Sequence, residues 1–187
     1  MASMTSRRAD MFIEPGTDPR TGPPPQADER ATLNGFLRWQ RESLALKCSG
    51  LGPADLARRS AEPSTMSLLG LVRHLADVEQ GWFRYLMAGQ DVPPHFSSAT
   101  DPDGDFDGAV PDPAVVAQAW QVWRAETAFA DQVIARAPSL DVIGEIPDPW
   151  RGPMSLRWVL VHVIEEYAQH NGHADLLRER IDGRIGQ

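Results

Sequence analysis

Apolar residues recur along this chain at intervals of three and four in four separate stretches, the spacing that puts them on one face of an α-helix. Leu33, Phe36, Leu37, Leu44 and Cys48 trace the first face and predict a helix over about 28–48, ended by the segment from Gly50 to Pro53. A short link with one helical turn, PADLARRS, leads to the second stripe. This one runs through Leu68, Leu71, Val72, Leu75, Val78, Trp82, Phe83 and Leu86, with Ser67 placed to cap it and Gly89 to end it. Asp112-Pro113 makes an N-cap and first-turn pair for the third helix, whose face carries Val115, Val116, Ala119, Trp120, Trp123, Phe129, Val133 and Ile134 up to Pro138. The fourth spans Ser155 to about Ile181.

No segment of useful length alternates with a strand's period, and no internal repeat is visible. The links QDVPPHFSSATDPDGDFDGAVPD and PSLDVIGEIPDPWRGPM are irregular and long enough to cross over a bundle. The pattern therefore predicts an all-α, four-helix bundle with long crossover connections over residues 28–187. Residues 1–27, rich in Pro, Gly, Asp and Thr, read as an extended N-terminal arm outside the core.

Composition narrows the partners. The net charge is −8, and no Lys/Arg cluster offers the basic face that phosphate contacts need, so neither nucleic acid nor an anionic membrane surface is an expected partner. The opening MASMTSRRADMFIEPGTDPR lacks an apolar signal core and no run is long enough to span a bilayer. A single cysteine, Cys48, fits a reducing compartment, and together these point to a cytoplasmic location. Lys47 is the sole lysine, an arginine bias that suggests a GC-rich bacterial genome.

Candidate chemistry lies with the histidines. Of five, His74 falls on the second helix, and His162, His170 and His173 lie within twelve residues on the fourth. Positions i and i+4 share a helix face, so Glu166 and His170 could hold one ion; His162 with Glu166, and His170 with His173, are also allowed. His162 and His170 are roughly 12 Å apart along the axis at 1.5 Å per residue, too far to share an ion. A third ligand must come from another helix, where His74 is the available histidine. The first-choice set is His74, Glu166 and His170: two imidazoles and a carboxylate that suit Zn²⁺ or a neighbouring divalent ion, nickel included, with one position open. The bland alternatives are a hydrogen-bonded core His74, a solvated Glu166, and a His173 that faces water or orients a ligand.

Other features carry less. DGDFDG, from Asp103 to Gly108, imitates the start of a calcium loop, but its twelfth position is Ala114 rather than glutamate. A di-iron site would need a second Glu/His motif, and Cys48 sits on an apolar face with no histidine near it in sequence. Asn171-Gly172 would ordinarily stop a helix. Within this pattern Gly172 is expected instead to let a neighbouring helix approach beside the ligands.

SLLGLVRHLADVEQGWFRYLMAG and LRWVLVHVIEEYAQHNGHADLLRE, with ADERATLNGFLRWQ, LALKCSGL and the acidic DPDGDFDG loop between and before them, resemble the DinB-like (YfiT-like) family of bacterial four-helix bundles. The likeness is strongest to an actinobacterial branch of mostly unassigned function. The resemblance implies a divalent metal held by a histidine of the second helix and two residues four apart on the fourth, here His74, Glu166 and His170. Asn171 and His173 stand where the family usually has Arg and Gln. Glutamate at position 166 is similar to the thiol-dependent maleylpyruvate isomerases of the same superfamily.

What the resemblance implies about activity follows from that site. It suggests a mycothiol-dependent S-transferase or thiol-dependent isomerase, with a low-molecular-weight thiol and a small electrophile as partners and Trp39, Trp82, Trp120, Trp123 or Trp158 as walls. The alternative is a non-catalytic metal- or small-molecule-binding stress protein, which a closed coordination sphere or the lack of a neighbouring pocket would favour. Metal-dependent hydrolysis ranks last, for want of an oxyanion hole or separate general base. Homodimers are common in the family, which adds a second copy of the chain to the candidate partners.

Overall fold

A computed structural model describes residue 13 and residues 18–186, and the described residues form an all-α fold with no strand. Four long helices carry it: α1 (Glu29–Cys48), α3 (Leu68–Glu79, continued by a π-helical segment Gln80–Met87), α5 (Pro113–Arg136) and α6 (Leu156–Asp182). Two four-residue helices, α2 (Pro53–Leu56) and α4 (Gly104–Asp107), sit in the links. Each long helix starts on a side-chain cap: Asp28, Ser67, Asp112 and Ser155 accept from Ala31, Gly70, Ala114 and Trp158 backbone N–H groups. α6 ends at Gly183, whose φ of +78° favours glycine.

α1 packs mainly on α6 and α3 mainly on α5, with α3 also against α6. Leu37, Leu44, Leu75, Phe83, Val159 and Val163 are among the buried residues between them. One buried polar network takes a residue from each long helix. Arg41 of α1 donates from Nε and Nη2 to Glu79 of α3, both at 2.7 Å; Tyr167 of α6 donates to Glu79 at 2.9 Å; Trp123 of α5 donates to Tyr167 at 2.8 Å. Burial raises the Tyr167 phenol well above its ordinary value, so it stays a donor. Glu79 lies five residues beyond His74 and Tyr167 next to Glu166, so these bonds fix α3 against α6 close to the candidate site.

The second helix differs from the simple α-helical expectation. An α-helix overshoots a full turn by about 40° every four residues, which would swing Leu86 away from the face of His74. The π-helical stretch Gln80–Met87 widens the turn, and Trp82, Tyr85 and Leu86 line the same cavity as His74. Of the expected N-terminal arm, residues 1–12 and 14–17 lie outside the described residues. Residues 18–27 run without helix along α1, where Arg20 stacks 4.1 Å over Trp39 and donates to Ser43. A Cβ at Gly35 would stand 2.6 Å from Pro24 Cδ, so the glycine makes room for this segment.

Candidate metal centre

α6 places Glu166 and His170 one turn apart on its inner face, and α3 brings His74 opposite them. Ligand-capable atoms of the three side chains lie within 4.8 Å of one another. His170 Nε2 is 3.7 Å from Glu166 Oε2, and the His74 and His170 ring centres are 4.7 Å apart. Bonds of 2.0–2.1 Å to one tetrahedral ion put neighbouring ligand atoms roughly 3.3 Å apart, so the three donors lie close to the spacing that one divalent cation would need.

The tautomers suit that role. His74 Nδ1 is 2.8 Å from Asp105 Oδ2. A carboxylate only accepts, so Nδ1 carries the hydrogen and the Nε2 lone pair is left for a ligand bond. His170 Nδ1 meets His173 Nδ1 at 3.3 Å, an arrangement that likewise leaves His170 Nε2 toward Glu166. Burial first, then the imidazoles of His74 and His173, lower His170 from 6.5 to about 4 against a smaller upward pull from Asp105. His170 is therefore neutral at pH 7, the state a ligand requires.

Asp105 is the residue that the sequence reading missed. It belongs to the DGDFDG run set aside as a calcium decoy, and it reaches His74 because its loop is pinned to α3. Arg73 donates to the carbonyls of Asp105 and Gly104 at 2.7 and 2.8 Å, and Phe106 packs so tightly on α3 that a Cβ at Gly70 would lie 2.7 Å from its ring. A carboxylate 31 positions from its histidine leaves no spacing signature; the signal was an acidic loop between two helices that hold the ligands.

The remaining candidates fall into place around the three. His162 is packed between Trp158, stacked at 4.8 Å, and Trp82, edge-on at 4.7 Å, with Nε2 3.3 Å from Glu166 Oε1. It contacts Glu166 from the side away from His170 and is not one of the converging three. Cys48 is buried and its thiol is pushed up to about 12 by that burial, which makes it unreactive. The helix runs through Asn171-Gly172 without a break, as expected, but the reason given for Gly172 is wrong. It is exposed and nothing lies within 4 Å of where its Cβ would stand. Asn171 makes the interhelical contact instead, donating to the Gln40 carbonyl and side chain of α1 at 3.0 and 2.7 Å.

Beside His74 opens a cavity of about 390 Å³. Its inner wall is α3 and the π-helical segment; its outer wall is the link before α6, at Pro147, Asp148 and Pro149. That link is docked by Ile146 N–H on the Leu86 carbonyl at 3.1 Å, and Asp148 accepts from the Trp150 and Arg151 N–H groups at 3.0 and 2.7 Å. Of the five tryptophans named as walls, Trp82 lines this cavity, whereas Trp123 is committed to the buried network and Trp39 lies under Arg20. No helix among the described residues is long and apolar enough to cross a membrane.

A family model described as mycothiol-S-transferase matches residues 32–183. Among solved structures, a conserved protein of Enterococcus faecalis superposes with a TM-score of 0.58 at 17% identity, over 85% of this chain and 100% of that one. At that identity the likeness bears on the fold alone. A comparison with curated proteins finds no match.

Proposed function

Because the chain belongs to the mycothiol-S-transferase family, we propose that it is a divalent-metal-dependent S-transferase. It joins a low-molecular-weight thiol, mycothiol, to a small electrophile. The observation that carries this reading is the convergence of His74, Glu166 and His170, with His74 also lining a neighbouring cavity. A divalent cation, Zn²⁺ by the donor set, would lower a thiol from its ordinary ~8.5 and supply thiolate at neutral pH.

Each neighbouring group has a share in that task. Asp105 holds His74 in the tautomer that leaves Nε2 free, and His173 contacts Nδ1 of His170 on the side away from Glu166. Arg73 keeps the Asp105 loop seated on α3. Glu166, as a ligand, removes one positive charge and is not a free base. The cavity beside His74 supports catalysis over the non-catalytic alternative, since a purely structural metal needs no adjoining pocket.

The test is turnover. Zinc-loaded protein is incubated with mycothiol and monochlorobimane, and conjugate fluorescence is followed. The account expects a rate above background that disappears in His170→Ala. A background rate across several electrophiles and divalent metals would overturn the transferase reading.

A further inference from the structure

The cavity beside His74 has an unbalanced hydrogen-bonding inventory. Val78, Trp82, Leu86, Pro147 and Pro149 supply apolar surface, and no Lys or Arg side chain among the described residues lines it. Three carboxylates do: Asp77, Asp105 and Asp148. Asp77 already accepts from the backbone N–H groups of His95, Phe96 and Ser97 and from the Ser97 hydroxyl. Asp148 is held by two backbone N–H groups and an ion pair with Arg151 at 3.8 Å, and Asp105 by His74 and the Phe106 N–H. The side-chain donors left toward a ligand are neutral, the Tyr85 hydroxyl and the Trp82 indole N–H.

An anionic group entering here gives up its water for a wall that presents carboxylates directly, while their guanidinium neighbours Arg73 and Arg151 lie outside the lining, a costly exchange. Glu166 and Asp105 would offset the two charges of a divalent cation at the triad, and Asp77 and Asp148 stay on the cavity wall. An uncharged apolar body loses nothing comparable and gains from burial against Trp82, Leu86 and the two prolines. Resting on the transferase reading above, we propose that this cavity is the electrophile site and that it selects uncharged electrophiles with an aromatic or extended apolar body, while excluding carboxylate-bearing ones. With an alkyl chloride the thiolate sulfur forms the S–C bond as the C–Cl bond breaks; chloride leaves with the electron pair, and the thiol proton passes to solvent.

Gly81 gives the site a clean control. It lines the cavity, and nothing lies within 4 Å of where its Cβ would stand, so Gly81→Leu meets no obstacle at its Cβ and adds bulk at the cavity wall. The experiment measures binding of two unreactive, nearly isosteric probes, 1-acetylnaphthalene and 1-naphthoate, to full-length chain with and without one equivalent of Zn²⁺, by quenching of tryptophan fluorescence. The uncharged probe should bind at least about tenfold more tightly in the metal-free form and lose about tenfold or more in Gly81→Leu. Tyr85→Arg, at an exposed position on the rim, should raise naphthoate affinity by about tenfold. Equal binding of the two probes, or unchanged binding in Gly81→Leu, overturns the proposal. Probe binding as expected with no turnover of monochlorobimane would instead retain the pocket and remove the transferase reading.

Discussion

Asp105→Asn is the substitution on which the geometry makes its sharpest demand. The wild-type carboxylate receives two donors at once: His74 Nδ1 at Oδ2 and the Phe106 backbone N–H at Oδ1, each at 2.8 Å. Asparagine has one oxygen for the two. If that oxygen keeps the Phe106 N–H, the amide NH₂ faces His74 Nδ1, which must then accept; the imidazole hydrogen moves to Nε2 and occupies the lone pair a metal needs. If the oxygen faces His74 instead, the buried NH₂ opposes the Phe106 N–H. The loop itself should stay in place, since Arg73 holds it through the carbonyls of Gly104 and Asp105 rather than the carboxylate.

Loss of such an orienting carboxylate costs about 10- to 100-fold in metal affinity, roughly 1.4–2.7 kcal/mol. Competition with a chromophoric zinc chelator reads it directly. Asp103→Asn, two residues away and exposed with no capping bond, serves as the control and should stay within about twofold of wild type. Zinc affinity of Asp105→Asn within about twofold of wild type, with the fold intact by circular dichroism, would refute the assigned role.

Three further outcomes follow from the same geometry. Gly172→Ala, at an exposed and uncrowded helical position, should stabilise the fold by about 0.5–1 kcal/mol and raise Tm by roughly 2–3 °C, and a lower Tm would mean a contact is missing from this description. Arg41→Met leaves Glu79 as a fully buried charge without its guanidinium and should cost about 3–5 kcal/mol in urea unfolding, whereas Arg41→Met with Glu79→Leu should recover a large part of it; equal losses would argue against the charge as the cause. In metal-free protein His170 titrates near 4 when folded and 6.5 when unfolded, so its contribution is present above pH 6.5 and lost as pH falls toward 4. Urea unfolding at pH 7 and 4.5 should show about 2 kcal/mol more loss in wild type than in His170→Gln, after discounting for screening through the adjoining cavity; parallel losses would contradict the lowered value.

What could be read from the chain alone divides along physical lines. The four long helices were legible because each buries one stripe and begins at a capping side chain, as Ser67 and Asp112 show. Glu166 and His170 were legible because i, i+4 neighbours share a helix face whatever the rest of the fold does, and His74 because a histidine interrupts an otherwise apolar stripe. The π-helical stretch was not: Gln80–Met87 contains the same residue types an α-helix would, and nothing in their order marks the wider turn. Asp105 depends on a loop held by backbone carbonyls, which carry no side-chain signature. Gly172 misled for a related reason. A glycine near ligands suggests close approach, but the helix face at position 172 looks outward and the contact with α1 belongs to Asn171.

The account stands or falls on whether His74, Glu166 and His170 hold one divalent ion. Equilibrium dialysis of full-length protein against Zn²⁺, wild type beside His170→Ala and the control His162→Ala, tests it most directly. One equivalent per chain is predicted for wild type and for His162→Ala, with binding lost in a folded His170→Ala. The same stoichiometry and affinity in His170→Ala would contradict the central claim.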